Sequence, residues 1–137
     1  MAVNLHMAIA GVNAEANALA ALLNSGYLRI YDSTGTGQPA TADAAITTQV
    51  LLAELTFGAT AFGSAVAGVI TANAIASDSD ANASGTATWF RCFESDGTTP
   101  VLDGDAGTSS TNLVLSTTSI VMHATISVNS FVHTVSM

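Results

Sequence analysis

Beyond Gly26 no stretch of the chain carries a helical period, and this limits its possible folds more than any other feature. Short apolar runs follow one another instead: YLRIY, VLLAELTF, GVITANAI, TATWFRCFE, PVL, TNLVL, SIVM and ATISVNSFVHTV. β-Branched and aromatic residues dominate them, and Gly, Asp, Ser or Pro bound most of them, which is the pattern of strands separated by turns. Parallel strands need long crossovers, usually helices, and none is in view. The expected fold is therefore mostly β, an antiparallel β-sandwich or jelly roll with one short N-terminal helix.

That helix is expected over residues 14–23, which are rich in alanine and leucine. Asn13 would cap it, Glu15 would lie in its first turn, and Gly26 would close it at C′. Leu19, Leu22 and Leu23 would form its inward face. At 137 residues the chain makes one core. It divides into an N-terminal arm and short helix, 1–26, and a β-sandwich domain, 27–137. SDGT at 95–98 is the clearest hairpin signal, since Asp-Gly suits a type I′ turn. The stretches 33–48 and 58–68, rich in Gly, Ala and Thr, exceed ordinary hairpin loops and are candidate contact arms.

The charges are few and oddly placed. There is no lysine, and both arginines fall inside apolar runs, Arg29 in YLRIY and Arg91 in TWFRCF. Alternation along a strand puts Arg29 on one face with Tyr27 and Tyr31, and Arg91 on one face with Trp89 and Phe93. Glu54 is the single acid of LLAELTF. An unpaired buried ion is too costly to keep, so Glu54 is expected to pair with at least one arginine in a mostly buried setting. Two other partners stay open for the arginines: an acid of a neighbouring subunit, or a ligand carboxylate.

Composition excludes several classes of function. Two basic residues against ten acidic ones give a net charge of −8, a field that repels nucleic acid and anionic membrane surfaces. No apolar run approaches the roughly 20 residues of a membrane span, and the first residues lack the positive region of a secretory leader. Charged residues make up only 9% of the chain, so much of its surface is expected to lie against other subunits.

No catalytic signature is present. GTGQPA lacks the strand–loop–helix setting of a dinucleotide site, no phosphate-loop lysine exists, and no GxSxG elbow occurs. DSDAN at 78–82 begins like a calcium loop, but Ala83 and Trp89 stand where a glycine and a bidentate glutamate belong. DGD at 103–105 is similarly incomplete, and both read as turns solvated by aspartates. Cys92, alone and between phenylalanines, reads as a small buried hydrophobe. No cofactor and no metal site is expected.

The succession ALLNSGYLRIYDST, QPATADAAI and LLAELTF, continued by TANAI, GTATWFR, SDGTT and ATISVNSF, resembles small virion proteins encoded among the structural genes of tailed bacteriophages. The likeness covers about residues 18–135. It leaves out residues 1–12, CFE at 92–94 and the second acid of DGD. It implies a non-enzymatic, oligomeric virion part, assembled in the host cytoplasm, and the charge-poor surface leads one to expect a small closed homo-oligomer, a trimer or a dimer. The expected role is a capsid decoration (cement) protein bridging major capsid subunits. Two alternatives are a neck, tail or fibre component, and a host-glycan-binding module with Trp89, Tyr27 or Tyr31 as stacking platforms.

Overall fold

The computed structural model describes residues 5–35 and 37–135; residues 1–4 of the expected arm, Thr36 of the first long loop and residues 136–137 lie outside them. A helix, α1 (Ile9–Leu22), precedes ten strands: β1 (Tyr27–Tyr31), β2 (Leu51–Phe57), β3 (Val69–Thr71), β4 (Ile75–Ala76), β5 (Gly85–Thr86), β6 (Trp89–Phe93), β7 (Pro100–Gly107), β8 (Leu113–Leu115), β9 (Ser119–Ile120) and β10 (Val128–Thr134). The fold is mostly β with one helix, as the sequence leads one to expect.

Eight strands form one sheet in the order β3-β10-β8-β7-β6-β1-β2-β4, and β5 and β9 form a separate ribbon. The large sheet is strongly curled. Phe57 on β2 and Phe131 on β10 are five strand intervals apart, about 24 Å in a flat sheet, yet their ring centroids are 6.2 Å apart. The two edges nearly meet, because β3 and β4 are separated only by residues 72–74. Asp78 and Ile126 close the remaining side with a reciprocal pair of backbone hydrogen bonds. The result is a two-layered, sandwich-like body with Phe57, Phe62, Phe90 and Phe131 in ring contact inside it.

One pairing departs from the antiparallel expectation. β7 and β8 run parallel, through Ala106↔Leu113 and Gly107↔Val114. Only two residue pairs are involved, so a full crossover is unnecessary. The compact loop 108–112 suffices, with Ser110 in the left-handed region at φ 57° and Thr111 Oγ1 donating to the Leu113 carbonyl at 2.7 Å.

The helix begins earlier than expected. Its N-cap is Ala8, without a side-chain cap, so Asn13 is not the cap and Glu15 is not in the first turn. Packing overrides local propensity here. Val12 is fully buried, and Asn13 Oδ1 accepts from Gly68 N at 2.8 Å. Asn17 and Asn24 likewise accept from Ala65 N and Ala61 N, both at 2.9 Å. These three asparagines stitch the 58–68 loop to the helix, so that loop is largely tied down from within. The inward face is Val12, Ala16, Ala20 and Leu23, with Leu19 partly buried and Leu22 exposed.

Gly26 does not supply the left-handed residue after the helix; Ser25 does, at φ 56°. Glycine is required at 26 for space, since a Cβ there would lie 2.3 Å from the Phe93 carbonyl oxygen. The 95–98 hairpin also differs in detail. Gly97 has φ 73°, but Ser95 and Asp96 stay out of the left-handed region, so the turn is not type I′. Asp96 stabilises it differently, accepting from the backbone N–H of Thr98 and Thr99 and from the Thr99 hydroxyl. Those bonds, the Thr99 hydroxyl first among them, hold the Asp96 carboxyl down at about 2.

Candidate functional site

The central strands bring the charged residues into one row. Register pairs Glu54 of β2 with Arg29 of β1, Arg29 with Arg91 of β6, and Arg91 with Asp103 of β7. The order across the sheet is acid, base, base, acid. Two like charges directly opposite each other are unfavourable, and the flanking carboxylates offset this from outside. Tyr27, Tyr31, Trp89 and Phe93 occupy the same face at alternate positions, so rings sandwich the cations above and below.

The two ends of the row are built differently. Arg91 and Asp103 have side chains only 2% and 7% exposed. Arg91 donates Nε to Asp103 Oδ1 at 2.6 Å and Nη2 to Oδ2 at 2.9 Å, a bidentate pair. Its remaining contacts go to the chain between β1 and β2: Nη1 to the Ala44 carbonyl at 2.5 Å and Nη2 to the Thr41 carbonyl at 3.2 Å. That segment, read from sequence as a contact arm, is a strap across the aromatic face. Trp89 pins its start by donating Nε1 to the Asp32 carbonyl at 3.0 Å.

Arg29 and Glu54 form the open end. Nε donates to Glu54 Oε2 at 2.7 Å and Nη1 to the Gly97 carbonyl at 2.9 Å. The side chains are 23% and 38% exposed, so the pair exists but the mostly buried setting does not. The reason lies in the strap, whose carbonyls reach Arg91 and leave the β1–β2 side uncovered. The Arg29 guanidinium lies 4.4 Å from the Phe93 ring centroid and 5.7 Å from that of Tyr27. A cleft of about 520 Å³ opens beside it. Arg29, Tyr31, Glu54 and Phe93 lie along it, between Ile46 of the strap and Gly97 and Thr98 of the hairpin.

The aromatic residues expected as stacking platforms are mostly hidden. Tyr31 and Trp89 stack on each other, with centroids 4.4 Å apart and planes at 16°, and both are buried. Burial raises the Tyr31 hydroxyl above its ordinary range, against the lowering pull of Arg29 and Arg91. Tyr27 alone of the three is partly exposed. Cys92, on the opposite face, is buried, and burial pushes its thiol well up, away from the reactive thiolate form.

The acidic stretches are engaged within the fold. DGD is not a loop but the middle of β7, where Gly104 makes room for the Phe90 ring; a Cβ there would lie 2.7 Å from it. Asp78 accepts from Glu54 N and Asp80 N, both at 2.9 Å, and Asp80 meets His123 Nδ1 at 2.6 Å. Among the described residues no three or more His, Cys, Asp or Glu gather as a metal-ligand set. Among them too, no helix is long and apolar enough to cross a membrane. No protein-family model, curated protein or solved structure matches the chain.

Proposed function

We propose that this chain is a structural protein of a bacteriophage virion, a capsid decoration (cement) protein that bridges and stabilises neighbouring major capsid subunits. It acts as a small closed homo-oligomer, a trimer or a dimer, and its work is mechanical rather than catalytic. The observation that carries this reading is the division of polarity in the molecule. Both of its arginines are engaged in ion pairs within one sheet. Leu5, Ile9, Leu22, Val66, Val121 and Met122 meanwhile stand exposed on a surface poor in charge. A surface of that kind favours contact with other proteins. The resemblance to phage virion proteins points the same way.

Each contact of standard size yields a modest net free energy after association costs, so cement acts through many copies. The test is the copy number in intact particles, together with the behaviour of particles lacking the protein. Hundreds of copies are expected, as is loss of packaged DNA at lower temperature with host adsorption unchanged. About a dozen copies or fewer would move the protein to the neck or tail. Stable particles that fail to adsorb would overturn the cement role in favour of a fibre or glycan-binding one.

A further inference from the structure

The cleft at the open end of the charged row combines a part-exposed ion pair with apolar walls. Arg29 uses two of its five N–H groups, one on Glu54 and one on the Gly97 carbonyl. Its Nη2 has no hydrogen-bond partner among the described residues, and it is not sealed from solvent. The Arg91 position lies directly beside it, and the acids of the row sit on the outer flanks. Arg29 is thus the one arginine with both donors and access.

The rest of the cleft narrows the ligand class. Glu54 uses Oε2 on Arg29, which leaves Oε1 as an acceptor. Thr98 walls the hairpin side, and Ile46, Leu51 and Phe93 supply apolar surface. A bare carboxylate would meet Arg29 but would also face the like charge of Glu54. A ligand that carries hydroxyls beside its carboxylate turns Glu54 from an opponent into an acceptor. We propose that this cleft binds a sugar acid, a compact ring bearing one carboxylate and several hydroxyls. The carboxylate takes Nη2 of Arg29, a hydroxyl meets Glu54 Oε1, and the ring lies against Ile46 and Leu51. A volume of about 520 Å³ falls within the usual range of small-molecule sites. The site stands on its own geometry and does not depend on the virion role.

The test is a titration of the purified protein with glucuronate, acetate and glucose at fixed ionic strength. Two readouts report on the cleft: the Arg29 Nε–H resonance, and the emission of the single tryptophan, Trp89, which stacks on the cleft-lining Tyr31. Glucuronate is expected to half-saturate at a concentration at least about tenfold below that of acetate or glucose. Thr98→Phe fills the mouth from the exposed hairpin tip without adding a second tryptophan, leaves the Arg29–Glu54 pair in place, and is expected to weaken glucuronate by about tenfold or more. If glucuronate binds no more tightly than its two fragments, or if Thr98→Phe leaves its affinity unchanged, the assignment is wrong.

Discussion

Arg29 and Arg91 occupy paired positions on neighbouring strands, each with one carboxylate and aromatic neighbours, and yet they do different work. Arg91 is 2% exposed, bonded bidentately to Asp103 and bonded to two carbonyls of the strap. Its burial is tolerable because nearly every donor is satisfied. Arg29 holds Glu54 by a single bond and borders an open cleft. The difference arises less from the strands, which are alike, than from where the strap between β1 and β2 crosses them. A loop without secondary structure decides which arginine is a structural clamp and which is available.

Removing the acid at the closed end should have the largest effect. Asp103→Ala leaves a buried guanidinium facing only carbonyls and is expected to cost about 3–5 kcal/mol in urea unfolding. Next comes the pin of the strap. Trp89→Phe loses the bond to the Asp32 carbonyl and some stacking area, for an expected loss of about 1–2 kcal/mol. The same substitution should raise amide exchange through residues 38–50, because the strap then loses one of the side chains that hold it to the sheet, leaving Arg91. At the open end, Glu54→Gln is expected to cost about 1 kcal/mol or less, since water screens a pair of this exposure. A loss as large as that of Asp103→Ala would erase the contrast between the two ends.

The smallest effect belongs to the hairpin that walls the cleft. The Asp96 carboxyl is held at about 2, below its ordinary value, by its bonds to Thr99 and Thr98. A depressed carboxyl stabilises the fold above its unfolded value and loses that contribution as pH falls toward its folded one. The hairpin should therefore loosen between roughly pH 4 and pH 2. An NMR titration of Asp96 checks this, and Asp96→Ala should remove the dependence.

The strands around the site were largely legible, because YLRIY, LLAELTF and WFRCF are short apolar runs rich in β-forming residues. The Arg29–Glu54 pair could be anticipated for the same reason, since one acid in an apolar strand needs a cation. Asp103 was missed because DGD reads as a turn. The signal was nonetheless present: Val101, Asp103 and Asp105 alternate with Leu102, Gly104 and Ala106, which continues the PVL strand. The strap was not legible at all. Arg91 is held partly by the carbonyls of Thr41 and Ala44, and backbone acceptors leave no trace in side-chain pattern. Asn13, Asn17 and Asn24 show a related limit, because an asparagine that caps a helix and one that stitches a loop look the same in sequence.

With two arginines and no lysine in the chain, the contrast between clamp and open site can be read from two side-chain signals. Hydrogen exchange at the two Arg Nε–H groups, followed by NMR under native conditions, measures it directly. The Arg91 signal is expected to exchange more slowly than that of Arg29 by about two orders of magnitude, and to speed up by about fivefold to thirtyfold in Trp89→Phe if the strap is the cover. Equal exchange rates for the two groups in the unmodified protein would contradict the division of roles.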